Sequence, residues 1–256
     1  MQFRKRWLLF NTLVLALFGS SIALNFLLYN QAKKYYFELN ETRLDPVGLA
    51  YYPVTSQEAI ETDRIRVIFF GDSRSANWTP PNMNGYEFIN RGISSQTSVQ
   101  TLQRFTSHVR PLNPDIVIIQ VGVNDLKTVA LFPERRQTIV TNTKANIKRM
   151  VEESRSLGAV VILTTIFPAG EMPLQRKPFW SDAIGQAIQE VNAYIATLTD
   201  HKTLVFDAFS ILANPQGVML PKYRADELHL NEQGYEVLNQ ELVQFIDRAR
   251  QNKLQK

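Results

Sequence analysis

Four short segments of the chain carry groups that could together perform nucleophilic catalysis. A serine hydroxyl needs a base to become a nucleophile, and His229 is the candidate base for Ser73. Asp226 lies three residues before the histidine, so its carboxylate can reach Nδ1 and turn the other ring nitrogen towards the serine. Asp207, which also follows a predicted strand, is an alternative acid for this role. The segments are Gly71-Asp72-Ser73, Gly92, Gly122-Val123-Asn124-Asp125 and Asp226-Glu227-Leu228-His229.

The same segments offer hydrogen-bond donors for the negative oxygen of a tetrahedral intermediate. The main-chain N–H groups of Ser73 and Gly92 and the side-chain amide of Asn124 are predicted to converge on that oxygen. Gly92 suits this role because no Cβ blocks the approach to its N–H. Asp72 and Asp125, which neighbour the serine and the asparagine, are predicted to support the site.

The elements that must position these segments are strands that alternate with helices from residue 64 onward. Apolar runs predict strands at 65–70, 88–89, 115–121, 159–166 and 203–206. Helical periodicity predicts helices over 98–109, 139–158, 184–195 and 237–246, the last with Asn231 as N-cap. Continuous apolar strands between amphipathic helices predict a parallel sheet covered on both faces, an α/β protein. In such a sheet, ligands bind beyond the carboxyl ends of the strands, which is where the candidate segments fall.

Taken in order, the four segments resemble the signature blocks of the SGNH (GDSL-type) hydrolases, over about residues 64–250. The resemblance implies a flavodoxin-like three-layer α/β/α sandwich and an esterase, lipase, thioesterase or carbohydrate acetylesterase activity that needs no metal or other cofactor. It implies that Ser73 is the nucleophile, His229 the general base and Asp226 the orienting acid. It also implies that Gly92 and Asn124 join Ser73 in the oxyanion hole.

Arg74 departs from the family pattern, which usually has leucine after Gly-Asp-Ser. This departure leaves the proposed chemistry untouched but changes the surroundings of the serine. Two interpretations are open: Arg74 recognises an anionic group of the substrate, or it is a surface or salt-bridged arginine.

The N-terminal segment 7–29 contains 23 residues without a charge and follows Arg4, Lys5 and Arg6. As a helix it would be about 34 Å long, enough to cross a hydrocarbon core of about 30 Å. The sequence therefore predicts a membrane anchor at 1–30, a connector at 31–62 and an SGNH hydrolase-like domain at 63–256 outside the cytoplasm. A signal peptide cleaved after Ala23, which would give a secreted enzyme, and a buried core helix are the alternatives.

Composition excludes several other classes of protein. The 256 residues include no cysteine, which rules out a thiolate nucleophile, a thiolate metal site and a disulfide scaffold. The net charge is +4, and the Arg4–Arg6 cluster supplies three of these charges, so no basic field remains to bind nucleic acid.

These observations predict a serine esterase or lipase-type hydrolase that forms an acyl-enzyme, acting at the cell envelope. Its expected partners are the membrane, through 7–29, and an ester-containing small molecule, a lipid or an acylated glycan as substrate. An O-acyltransferase with the same triad and a non-catalytic SGNH-like envelope protein are the alternatives.

Overall fold

A computed structural model describes residues 2–53 and 63–254 of the chain. It divides into two compact units, Met1–Pro46 and Val47–Lys256. The later part of the predicted connector, residues 54–62, lies outside the described residues.

The first unit contains one long helix, α1, over Gln2–Leu44. Its side chains are not buried, and of the helices that the structure describes it is the one long and apolar enough to cross a membrane. An anchor and a signal sequence would both have these features. The helix continues beyond residue 30, so the first part of the predicted connector is helical.

The second unit is built on a parallel sheet of five strands in the order β2-β1-β3-β4-β5. This confirms the predicted α/β class. The strands are β1 (Ile65–Gly71), β2 (Tyr86–Gly92), β3 (Ile116–Gln120), β4 (Val160–Thr164) and β5 (Thr203–Phe206).

Helices follow or connect these strands. Three of them are long enough to cover the sheet, and the rest are short turns at strand ends. They are α2 (Ser73–Ala76), α3 (Ser98–Gln103), α4 (Phe105–His108), α5 (Val123–Leu126), α6 (Arg136–Ser156), α7 (Asp182–Ala196), α8 (Ala208–Leu212) and α9 (Glu232–Leu254). Short 3-10 turns lie at Arg110–Leu112, Lys127–Ala130, Pro133–Arg135, Lys177–Phe179 and Pro221–Tyr223.

Alternate residues of each strand face opposite sides of the sheet, and each side has its own core. On one side, strand residues such as Ile68 and Val117 pack with Ile147 of α6 and Ile188 of α7. On the other, strand residues such as Val67, Phe69 and Ile162 pack with apolar residues of α8 and α9, chiefly Leu212, Leu238, Leu242 and Ile246. The result is the three-layer α/β/α sandwich that the pattern predicted.

One predicted helix differs from the observed structure. The helix expected over 98–109 is broken into α3 and α4 at Arg104, whose φ and ψ are −93° and 2°. The guanidinium of Arg104 is fully buried and donates to the main-chain oxygens of Gly71 and Arg91. The break coincides with this inward-pointing side chain, a contact that helical periodicity does not reveal.

Candidate active site

Ser73 is the first residue of α2, in the tight turn that leaves β1. The backbone of Gly71 lies close to the neighbouring strand β3. A Cβ on Gly71 would be 1.7 Å from the carbonyl oxygen of Gln120, so only glycine fits there. Asp72 is the N-cap of α2, and its Oδ1 accepts a hydrogen bond of 2.9 Å from the N–H of Arg74. The serine is left 7% exposed at the carboxyl edge of the sheet.

His229 and Asp226 approach Ser73 from the loop before α9. The Oγ of Ser73 lies 3.0 Å from Nε2 of His229. Nδ1 of the same ring lies 2.8 Å from Oδ2 and 3.0 Å from Oδ1 of Asp226. The alternative acid, Asp207, instead accepts hydrogen bonds from the N–H and hydroxyl of Ser210 at the start of α8. The structure therefore brings Ser73, His229 and Asp226 into one hydrogen-bonded chain across 156 residues of sequence.

The local charge environment keeps Asp226 ionised. Burial acts to raise the pKa of Asp226, but hydrogen bonds from the N–H of Leu228 and from His229 outweigh it and lower the pKa below its usual value. An ionised carboxylate can accept a hydrogen bond from a protonated Nδ1 and stabilise a positively charged imidazole. Asp72 behaves in the opposite way, because complete burial raises its pKa to about 6.

Asn124 and Asp125 occupy α5, which begins directly after β3. The Nδ2 of Asn124 donates to the main-chain oxygen of Gln96 at 3.0 Å, and the side chain is 5% exposed. Asp125 accepts hydrogen bonds of 2.7 and 2.6 Å from the N–H and the hydroxyl of Ser98. These bonds tie the loop after β3 to the loop after β2, so Asp125 is placed to support the site rather than to contact a substrate.

Gly92 lies at this edge, but not in the predicted role. Its N–H donates to Oδ1 of Asn90 at 2.8 Å and is therefore engaged. A Cβ at this position would lie 2.2 Å from the main-chain nitrogen of Ala76, so the glycine permits β2 and α2 to pack closely. The prediction that the Gly92 N–H is an oxyanion donor does not fit this geometry, because the side chain two residues earlier occupies it.

The structure also contradicts both interpretations of Arg74. The side chain is completely buried, so it is neither on the surface nor open to a substrate, and no salt bridge among the described residues includes it. Its guanidinium donates to the main-chain oxygens of Leu228, Phe167 and Pro168, and stacks 5.3 Å from the centre of the Phe167 ring. Arg74 thus joins the turn that carries Ser73 to the loop that carries His229.

Two further residues near the site were not found from the sequence. Lys127 places its Nζ 2.7 Å from Oδ1 of Asn124. The signal was available, because residues three apart on a helical turn face the same side. Ser95 has a left-handed φ of 65°, unusual for a residue other than glycine, on the loop next to Gln96. In the described part of the chain, the N–H of Ser95 has no hydrogen-bond partner.

The segment Val47–Pro53 packs against the loop after β2. The main-chain oxygens of Val47 and Leu49 bond to Gln96 Nε2 at 2.8 Å and to His108 Nε2 at 3.1 Å. The hydroxyl of Tyr52 donates to the carbonyl oxygen of Gly92 at 2.7 Å. These residues of the predicted connector therefore support the same loop that approaches Asn124.

Within residues 2–53 and 63–254, no group of three or more His, Asp or Glu side chains is placed to hold a metal ion. The polar groups gathered at Ser73 are its hydroxyl, the imidazole of His229 and the ionised carboxylate of Asp226. Such an arrangement can carry out acyl transfer through a covalent intermediate.

Comparison with protein families finds a match to the GDSL-like Lipase/Acylhydrolase family over residues 69–237. This range includes Ser73, Asn124, Asp226 and His229 and leaves out α1. A comparison with curated proteins finds no match.

Solved structures with the same fold include a GDSL-like lipase from Bacteroides thetaiotaomicron, which is 29% identical with a TM-score of 0.60 and aligns over 82% of this chain and 98% of its own. A lipase/acylhydrolase from Enterococcus faecalis is 24% identical with a TM-score of 0.52, over 72% of this chain and 96% of its own. An acetyl xylan esterase is 21% identical with a TM-score of 0.57, over 71% of this chain and 100% of its own. The last two likenesses concern the fold alone.

Proposed function

The chain belongs to the GDSL-like lipase/acylhydrolase family, and on that premise we propose that it is a serine esterase in which Ser73, His229 and Asp226 form the catalytic triad. The observation that carries the proposal is the continuous chain of hydrogen bonds from Ser73 Oγ through the His229 ring to Asp226, with distances of 3.0 and 2.8 Å. These distances lie within the range needed for proton transfer.

The reaction proceeds in two halves. Ser73 Oγ attacks the ester carbonyl carbon while Nε2 of His229 takes the hydroxyl proton, and Asp226 stabilises the resulting imidazolium. The tetrahedral intermediate collapses, the alcohol leaves with the proton from Nε2, and an acyl-serine ester remains. Water, activated by the same histidine, then attacks this ester and releases the acid.

Three donors are proposed for the oxyanion. Ser73 opens α2, so its main-chain N–H lies at a helix start, where no helical partner exists. The Nδ2 of Asn124 has one hydrogen on Gln96 O and a second hydrogen left for the substrate. The third donor is the N–H of Ser95 in place of the predicted N–H of Gly92, since Ser95 lies next to Gln96 and its N–H is not engaged by any described residue.

We also propose that α1 anchors the enzyme, with the second unit outside the cytoplasm. Supporting this are the uncharged stretch 7–29, the basic cluster before it and the length of the helix. Lipid esters or O-acylated glycans of the cell envelope are the substrates that this location would offer. An acetyl xylan esterase among the structures of like fold is consistent with the glycan class.

A fluorophosphonate probe tests the proposed nucleophile. The full-length chain in detergent should be labelled, and Ser73→Ala should not. Ser75→Ala is the matched control, because Ser75 lies in the same short helix, is buried and has an unbonded hydroxyl among the described residues. Labelling of Ser73→Ala, or equal absence of labelling in wild type and Ser75→Ala, would refute the proposal.

Turnover and topology need separate measurements. Hydrolysis of p-nitrophenyl esters of rising chain length, in the presence of EDTA, should proceed in wild type and identify the preferred acyl group. Acetylated xylan and lysophospholipid in the same series distinguish the glycan and lipid classes. Protease added to spheroplasts should digest the second unit while cytoplasmic markers survive; protection would reverse the topology, and a mature N-terminus at Leu24 would indicate a secreted enzyme.

A further inference from the structure

The side-chain amide of Asn124 is held at both ends. Its Oδ1 accepts a hydrogen bond of 2.7 Å from the ammonium of Lys127. Its Nδ2 donates at 3.0 Å to the main-chain oxygen of Gln96. Asn124 is 5% exposed, so water cannot readily replace either partner.

These two partners permit only one orientation of the amide. If the group were rotated by half a turn, its NH₂ would face an ammonium, and its oxygen would face a carbonyl oxygen. In this buried site a donor would then face a donor and an acceptor would face an acceptor, so both hydrogen bonds would be lost. Lys127 and Gln96 together therefore fix which way the remaining N–H of Asn124 points.

Lys127 is available for this role because it is not neutralised by a direct ion pair. It follows α5 directly, is partly buried, and forms no salt bridge in the described part of the chain. Burial lowers the pKa of Lys127, and the charged groups that act on it are Asp72, Arg176, Arg74 and Asp125. Among the described residues, its ammonium has one hydrogen bond, to the amide oxygen of Asn124.

We propose that Lys127 is a positioning residue that orients Asn124 and strengthens its free N–H as an oxyanion donor. A cation bonded to an amide oxygen draws electron density from the amide nitrogen, so the N–H becomes a stronger donor. The positive charge lies at the oxygen end of the amide, and the proposed donor N–H is at the nitrogen end. Its effect is largest when that oxygen is negative, which is in the tetrahedral transition state rather than in bound substrate.

This inference rests on the proposed esterase function, and it predicts a particular kinetic signature. Lys127→Met should lower kcat by about 10- to 100-fold, less than full removal of an oxyanion donor, with KM within about twofold of wild type. Lys127→Arg should recover part of the loss, because a guanidinium can also donate to the amide oxygen. Affinity for an alkyl boronic acid, which forms a tetrahedral adduct with the serine, should fall with kcat.

A double-mutant cycle identifies the path of the effect. In an Asn124→Ala background, Lys127→Met should reduce kcat by less than about threefold, because the amide through which it acts is already absent. Lys144→Met is the matched control: Lys144 of α6 is also partly buried, but its ammonium lies 2.8 Å from Oε1 of Glu190 on α7. This variant should keep kcat within about twofold of wild type. Thermal melting of each variant checks that the fold is retained.

Each contrary outcome has a distinct meaning. If wild type is active and Lys127→Met has the same kcat, the proposed role of Lys127 is wrong and the proposed esterase function stands. If Lys127→Met raises KM and leaves kcat unchanged, Lys127 binds an anionic part of the substrate instead. If the losses of kcat from Lys127→Met and Asn124→Ala are fully additive, Lys127 does not act through the amide. A wild type that neither hydrolyses esters nor reacts with fluorophosphonate would overturn the proposed function and this inference with it.

Discussion

Arg74 connects the turn that carries Ser73 to the loop that carries His229, and its replacement by leucine should destabilise the protein. The guanidinium donates to main-chain oxygens of Leu228 at 2.8 Å, Phe167 at 2.9 Å and Pro168 at 3.3 Å. Leucine, the fourth residue of the GDSL pattern, has no donor. All three oxygens would therefore lose a partner in a region where Arg74 itself is completely buried.

The size of the effect follows from two opposing contributions. Each buried acceptor left without a partner costs about 1–3 kcal/mol, and the two shorter bonds dominate, which gives about 2–6 kcal/mol. Leucine removes the cost of burying a cation, a cost expressed in the lowered pKa of Arg74, which burial causes. We therefore expect Arg74→Leu to reduce the free energy of unfolding by about 2–4 kcal/mol, a large part of the usual 5–15 kcal/mol of a folded domain.

Urea unfolding of the full-length chain in detergent, followed by tryptophan fluorescence, measures this difference. Trp78 is a suitable probe because it is buried beside Phe167, with ring centres 5.8 Å apart. The control is Arg149→Leu, since the Arg149 side chain is 62% exposed and bonds Glu153 on the same helix. The control should change stability by less than about 1 kcal/mol.

Arg74→Leu should also lower kcat, because Leu228 directly precedes His229 and its carbonyl bond helps to place the imidazole. If Arg74→Leu were as stable as Arg149→Leu and as active as wild type, the reasoning would be refuted. That outcome would show that the three carbonyl oxygens find other partners without loss.

Four further predictions concern other parts of the site. His229→Ala should lower kcat by about 10⁴-fold or more at unchanged melting temperature, and activity within tenfold of wild type would remove it from the mechanism. Asn124→Ala should lower kcat by about 10²- to 10³-fold with little change in KM; an effect confined to KM in steady-state assays would mean that it only binds substrate. Burial raises the pKa of Asp72 to about 6, above the value of about 3.9 in an unfolded chain, so the folded state holds this proton to higher pH. The free energy of unfolding of wild type should therefore fall relative to Asp72→Asn by about 2 kcal/mol as the pH rises from 4 to 6, measured by urea unfolding, and parallel curves would contradict the assignment. Removal of residues 1–46 should leave a folded, active unit, whereas removal of 1–53 should cost about 2–3 kcal/mol more, because hydrogen bonds of Val47–Pro53 to Gly92, Gln96 and His108 are lost. Equal melting temperatures of the two deletions would show that this segment is dispensable.

Much of the fold could be predicted because it depends on local regularities. A strand that is buried on both faces appears in the sequence as a continuous apolar run. A helix that is buried on one face appears as apolar residues at helical spacing. The parallel sheet follows from their alternation, and its carboxyl edge follows from the direction of the strands. Ser73, His229 and Asp226 were therefore predicted together, and they lie in hydrogen-bond contact.

The sequence alone did not determine how individual polar groups choose their partners. The N–H of Gly92 bonds Asn90, the guanidinium of Arg74 bonds carbonyl oxygens 93 and 154 residues away, and Arg104 interrupts a helix that periodicity had predicted whole. Carbonyl oxygens are present at every residue, so no pattern of residue types marks the ones that a buried cation will reach. Only the packing of strands and loops brings particular donors and acceptors within 3 Å of each other, and that packing is a property of the folded chain as a whole.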